Sequence, residues 1–259
     1  MCVKQRVNKI HDMKKIILVI IFTFLVSCSE QSQDTNKNIK NKVGLSLDHK
    51  REFDPQIFEV TDNVYSGVGY GLANSIMIET KEGLVIVDTL GSEENASLLL
   101  SEFRKISNKP VKAIIYTHNH LDHLGGATIF AAGDNPEIYA QENILYNIDN
   151  IATTIRPIIF ERSARQFGIP LNESEIVHQG IGAFLEVNAD STLGLLRPTI
   201  TFKDQLNIKV GDLDIELVHA PGETDDHLFV WLPKQKVVMV GDNFYRSFAN
   251  LYAIRGTKF

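Results

Sequence analysis

The sequence predicts a mixed α/β fold, an αββα sandwich in which two sheets pack face to face with helices on their outer faces. Three observations carry that expectation. A hairpin is followed by an amphipathic helix; a further apolar strand empties into a loop dense with imidazole and carboxylate groups; and short strands recur over residues 199–240.

The hairpin pairs Ser75-Ile76-Met77-Ile78-Glu79-Thr80 with Leu84-Val85-Ile86-Val87-Asp88-Thr89 across Lys81-Glu82-Gly83, two β-prone runs around a short turn ending in glycine. From Ser92 to Ile106, the residues Ala96, Leu99, Leu100, Phe103 and Ile106 recur at helical spacing. Glu93 and Glu94 fall in the first turn, where carboxylates complement the helix dipole. Val111-Lys112-Ala113-Ile114-Ile115-Tyr116 is the next strand, and Gly125-Gly126 are expected to give the backbone freedom to fold back into a helix. Residues 141–168 read as largely helical, with Arg156, Arg162 and Arg165 on a solvated face. Strands resume over 199–202, 206–210, 213–219, 228–232 and 237–240, bounded by Gly, Asp or Pro.

The loop that follows residue 116 reads Thr117-His118-Asn119-His120-Leu121-Asp122-His123-Leu124. Imidazole and carboxylate are the ligands that zinc and other borderline divalent ions take. A chain leaving a strand aims alternate side chains at one point, so His118 and His120 would share one ion. Asp122 and His123 follow where the chain turns and would hold a second ion close by, the arrangement of two-metal hydrolases. The bland alternative is a solvated loop rich in histidine.

The 259 residues, 44% hydrophobic, admit one large domain or two small ones. The N-terminal region reads differently from the rest. Lys14-Lys15 precede an apolar run over 16–26 that is too short to span a bilayer and suits the core of a secretory signal. Leu25-Val26-Ser27-Cys28 resembles a bacterial lipobox, in which the cysteine becomes the lipidated first residue, with Met13 as a candidate start. A buried apolar helix is the alternative. The polar tract over 29–50 reads as a tether.

The expected organisation is a lipoprotein signal over 1–27, a flexible tether over 28–55 and a hydrolase domain over 56–259. That implies an exported protein held to the membrane at Cys28, in the cell envelope. Removing residues 1–27 takes five Lys/Arg and one acid from totals of 26 and 32, deepening the formal charge from −6 to about −10, which argues against nucleic acid as a partner. Cys2 and Cys28 are the only cysteines. A metal site in the body of the protein must therefore use His, Asp and Glu, and no disulfide can brace an exported fold.

Two later strands also end in acidic turns, Ala220-Pro221-Gly222-Glu223-Thr224-Asp225-Asp226-His227 and Gly241-Asp242-Asn243. Together with the His-x-His-x-Asp-His loop, these turns make the chain resemble the metallo-β-lactamase superfamily. Where most of its hydrolases carry a third histidine after Pro-Gly, this chain has Glu223, a substitution typical of the alkyl sulfatase branch. Asn250-Leu251-Tyr252-Ala253-Ile254-Arg255-Gly256 and Leu193-Gly194-Leu195-Leu196-Arg197-Pro198-Thr199 resemble that branch too. The likeness runs over roughly residues 56–259.

The resemblance implies two Zn2+ ions. His118, His120 and Glu223 would hold one, Asp122 and His123 the other, and Asp242 would bridge them, with Asp122 and Asp242 counted as catalytic residues. Arg255 falls in the segment that the branch uses to hold sulfate. His219 and His227 flank the same turn and read as supporting or packing residues. In the family a later histidine completes the second zinc, and the C-terminal part supplies a dimerisation domain and a sterol-carrier-like domain. Because this sequence stops at Phe259, it reads as truncated, with a sheet short of its closing strands and an edge prone to association.

The implied activity is hydrolysis of alkyl sulfate esters to alcohol and inorganic sulfate by a metal-activated hydroxide. Attack at carbon needs little acid help, since sulfate is a good leaving group, whereas attack at sulfur needs the alkoxide stabilised; both remain open. The rival readings are a phosphoester, thioester or lactam hydrolase on the same fold, and an inactive envelope lipoprotein that binds metal or an anion.

Overall fold

Alternation of side chains along the strands sorts the apolar residues into two cores. The computed structural model describes residues 53–245, apart from residues 173, 174, 176, 177, 180 and 186–189. The expected signal, the lipidation site Cys28, most of the tether and Arg255 therefore lie outside the described residues. Among the described residues no helix is long and apolar enough to cross a membrane.

The first sheet runs β1 (Gln56–Thr61), β2 (Val64–Val68), β3 (Ser75–Glu79), β4 (Leu84–Val87), β5 (Val111–Ile115), β6 (Glu137–Gln141), β7 (Ile200–Phe202), neighbours in space as in sequence. β1 to β4 pair antiparallel and β4 to β7 parallel. The second sheet is antiparallel: β8 (Gln205–Val210), β9 (Leu213–His219), β10 (Leu228–Leu232) and β11 (Val237–Met239). The helices are α1 (Glu93–Ile106), α2 (Leu121–Leu124), α3 (Ala127–Ala131), α4 (Asn143–Ala152) and α5 (Arg156–Gln166).

Leu84 and Ile86 of β4 and Ile114 of β5 point to the helix side, where they meet Leu99 and Phe103 of α1 and Phe130 of α3. Val85, Val87, Ala113 and Ile115 point the other way, against Leu213, Ile215 and Leu217 of β9 and Val230 of β10. β4 is covered on both faces, which is why it reads as an unbroken apolar run, and β5 departs from that only at the exposed Lys112. The mixed α/β sandwich stands as the sequence implied.

Several boundaries sharpen. Ser92 is the cap of α1 rather than its first residue, accepting from Asn95 N at 3.3 Å. Ile106, placed on the apolar face by its spacing, is exposed. The helical stretch over 141–168 divides in two, with Pro157 in the first turn of α5, where its missing N–H costs nothing. β1, β2, β6 and α2 are additions that the sequence reading did not announce.

Gly125 and Gly126 serve a purpose other than the expected one. Gly125 has φ −69° and Gly126 has φ −107°, values any residue adopts. Their role is close approach: a Cβ on Gly125 would collide with the Gly91 carbonyl, and one on Gly126 with the Thr89 carbonyl. Gly125→Ala should accordingly lower stability by about 2–3 kcal/mol through overpacking against backbone, measured as a drop in the denaturant midpoint with an unchanged m-value.

Candidate metal centre

The site lies at the carboxyl ends of the central parallel strands, where open α/β sheets place their ligands. Asp88 directly follows β4, and β5 runs into the loop that carries His118 and His120 before α2 presents Asp122 and His123. From the second sheet, the turn between β9 and β10 delivers Glu223. A 3-10 turn after β11 (Gly241–Asn243) delivers Asp242. Gly241 starts that turn with φ +48°, and a Cβ there would stand 2.8 Å from His227 Nε2.

The structure brings six of the seven sequence-derived site residues together, and the seventh, Arg255, lies outside the described residues. Ligand atoms of His118, His120, Glu223 and Asp242 form one group and those of Asp122, His123 and Asp242 a second, within 4.8 Å of one another in each. Asp242 belongs to both. Glu223 lies 3.8 Å from His118 Nε2 and 3.7 Å from His120 Nδ1. His123 Nε2 lies 3.3 Å from Asp242 and 3.6 Å from Asp122.

Hydrogen bonds fix which ring nitrogens face the cluster. His123 Nδ1 donates to Asp88 Oδ2 at 2.7 Å, which turns Nε2 toward Asp122 and Asp242. Thr117 Oγ1 donates to the same Asp88 oxygen at 2.8 Å, so its lone pairs accept from His118 Nδ1 at 3.0 Å. His118 Nε2 is then an unprotonated acceptor, buried and without a hydrogen bond to any described residue. A divalent cation satisfies such a group as no donor present does. The donor set fits a borderline ion.

Burial and mutual repulsion with His123 and His120 hold His118 well below the usual imidazole range. Burial alone would lower His123 as well, but the charges of Asp242, Asp88 and Asp122 outweigh it and hold its pKa well above normal. Burial, then the charge of Asp242, pushes Glu223 up to about 8. Burial acts on Asp242 in the same direction, yet His123 beside it wins and holds that carboxyl well below its ordinary value. Without cations, protons on His123 and Glu223 offset the carboxylates.

His227 and His219 support the site. His227 Nε2 accepts from Asp242 N at 3.1 Å and its ring stacks on His118 at 4.8 Å, while His219 Nε2 donates to the Asp225 carbonyl at 2.8 Å. Burial, then the charge of His123, lowers His227 to about 4. Other contributors escaped the sequence reading. Tyr245 Oη donates its one proton to Asp242 Oδ2 at 2.8 Å and lies 3.0 Å from Glu223 Oε2, from which it can accept when that carboxyl is protonated. Asn243 Oδ1 accepts from Glu223 N at 3.0 Å and its Nδ2 donates to the Ala220 carbonyl at 2.8 Å, tying the two acidic turns together. Asp88 was read only as a strand residue; the signal available was an acid directly after a fully apolar run.

A cavity of about 350 Å3 opens onto Asp122 and Asp242, with Phe53, Phe58, Val68, Leu72, Ile181 and Phe244 among its walls. Fold and site together define a metallohydrolase-type centre, two overlapping His/carboxylate groups at the joined ends of two sheets. The chain belongs to the metallo-β-lactamase superfamily, whose sequence profile matches residues 68–252.

Within that superfamily the chain is similar to alkyl sulfatases. It is 36% identical to a linear primary-alkylsulfatase of a Pseudomonas species over 71% of this chain and 36% of the relative. It is 31% identical to the alkyl/aryl-sulfatase BDS1 of Saccharomyces cerevisiae over 78% of this chain and 32% of the relative. A solved structure of the stereoselective inverting sec-alkylsulfatase Pisa1 from Pseudomonas superposes with a TM-score of 0.64 at 25% identity, covering 71% of this chain and 30% of that one. The chain thus spans about a third of the length of these curated relatives.

Asp88→Asn would set an amide donor against at least one of the three donors that now point at the carboxylate. We expect zinc affinity to fall about 10–100-fold, the usual cost of losing the partner that orients a histidine ligand, as read by isothermal titration calorimetry.

Proposed function

We propose that the protein is a zinc-dependent hydrolase of alkyl sulfate esters, releasing alcohol and inorganic sulfate. The observation that carries this reading is the sharing of Asp242 between two ligand groups beside a cavity of mixed polar and apolar lining. His118, His120 and Glu223 would hold one zinc, Asp122 and His123 the other, and Asp242 both. Bound there, the pair would supply Lewis acidity and bring the pKa of water toward neutrality.

The remaining work falls to the chain. Asp88 and Thr117 hold His123 and His118 in the tautomers that present Nε2 to the site. The aromatic and aliphatic walls would take an alkyl chain and exclude water around the ester. Arg255 is assigned to the sulfate, because a guanidinium offers two parallel hydrogen bonds to an oxyanion. Support for sulfate over other esters comes from the names of the relatives and from Glu223 in place of a third histidine.

The zinc-loaded full chain is expected to release sulfate from dodecyl sulfate, to stop when a chelator strips the metal, and to show about two zinc ions per chain. Arg255→Ala should lower kcat/KM on the sulfate ester by about 100-fold, roughly 3 kcal/mol of lost charge-assisted hydrogen bonding. Labelled oxygen from water appearing in the alcohol would assign cleavage to the carbon–oxygen bond. A metal-loaded protein that ignores sulfate esters but cleaves a phosphoester, thioester or lactam would sink the sulfatase reading.

Envelope location belongs to the same proposal. A lipid on Cys28 would hold the catalytic unit at the membrane through the polar tract over 29–50. Cys28→Ser should move the protein from the membrane to the soluble fraction on cell fractionation, and an unmodified mature Cys28 by mass spectrometry would refute the anchor.

A further inference from the structure

We infer that Asp226 is a positioning residue: its buried carboxylate clamps the histidine loop of one sheet to the acidic turn of the other and so sets the spacing of the ligands. The inference rests on the metal-centre reading above. Asn119 sits between His118 and His120, and its Nδ2 donates to Asp226 Oδ1 at 2.7 Å. The same oxygen accepts from Asn147 Nδ2 of α4 at 3.1 Å, and that amide also donates to Asp225 Oδ1 at 2.7 Å. A single acceptor oxygen thereby joins the loop after β5, the turn before β10 and a helix.

The clamp reaches both ligand groups. Through Asn119 it holds the backbone on which His118 and His120 are mounted. Asp226 itself is three residues after Glu223 and immediately precedes His227, whose ring stacks on His118 and accepts from Asp242 N. Asn119 and Asn147 are fully buried and Asp226 is 1% exposed. Solvent does not reach these bonds, and hydrogen bonds to a charged acceptor in so dry a place are strong. Removing the carboxylate leaves the buried Asn119 amide with no acceptor, leaves Asn147 bonded to Asp225 alone, and releases the loop from the turn.

The test is titration of the full chain with Co2+, following affinity and the visible ligand-field bands. Asp226→Ala should weaken cobalt binding about 10–100-fold and alter the bands at saturation, since ligand spacing shapes both. Asp226→Asn, which keeps an acceptor oxygen opposite the two amides, should return affinity to within about threefold of wild type. If Asp226→Ala does not fold, Asn119→Ala removes the same link from the other side and should show the same loss. Wild-type affinity and bands in these variants would overturn the clamp and leave the metal centre standing. So would a loss that Asp226→Asn shares in full, because charge rather than hydrogen-bonded spacing would then be responsible. Wild-type protein that takes up no cobalt would overturn the metal centre and the clamp together.

Discussion

Leu228 N donates to Thr117 O at 2.9 Å, joining the first residue of β10 to the residue two positions past the end of β5. This bond sits where the apolar layer between the sheets gives way to polar side chains. Below it, Ile115 and Leu228 belong to one core cluster; beyond it lie the histidines. The inter-sheet core therefore determines how far apart the ligand loop and the acidic turns stand. Every later feature of the centre depends on that separation, since a ligand atom misplaced by an ångström no longer coordinates.

Holding so many ionisable groups in a dry pocket is costly unless their charges are matched. The site does this with short local bonds. Asp88 takes one hydrogen bond from His123 and two from Thr117, through its backbone N and its hydroxyl. It does so from a left-handed conformation, φ +59°, and Leu90 two residues on has φ +62°. Aspartate tolerates that region, while a leucine there is strained. Complete burial of Leu90 in the helix-side core compensates. Strain of this kind, held in place by packing, is a common property of functional sites.

The same logic explains why close-packed glycines surround the cluster. Gly125 and Gly126 let α2 and α3 sit against the Thr89–Gly91 backbone, and Thr89 N and Oγ1 both donate to the His123 carbonyl. Gly241 gives His227 room beneath Asp242. On this scaffold the chemistry turns on a few positions, with Glu223 foremost. A carboxylate there in place of imidazole adds a negative charge to the cluster, which strengthens its hold on cations and weakens its hold on anions. Recognition of an anionic ester then calls for a cationic side chain nearby, the role proposed for Arg255.

How much was legible in the sequence follows from the range of each interaction. The hairpin, α1, β5 and the five later strands are written in side-chain periodicity, a local property, and so is the crowding of His118, His120, Asp122 and His123 within six positions. Glu223 and Asp242 could be assigned only through resemblance, because nothing local says that a turn a hundred residues away faces the same point. The roles of Asp88, Asn119, Asp226 and Tyr245 depend on tertiary structure altogether: an aspartate after an apolar run looks like any strand end until the fold sets His123 against it. Gly125 and Gly126 misled for the same reason, since backbone freedom can be inferred from residue type but the approach of Gly91 cannot. The sequence by itself determined the elements and the class of chemistry, through periodicity and ligand type; the tertiary structure alone decided which groups share a proton, a hydrogen bond or an ion, because those depend on distances between segments far apart in the chain.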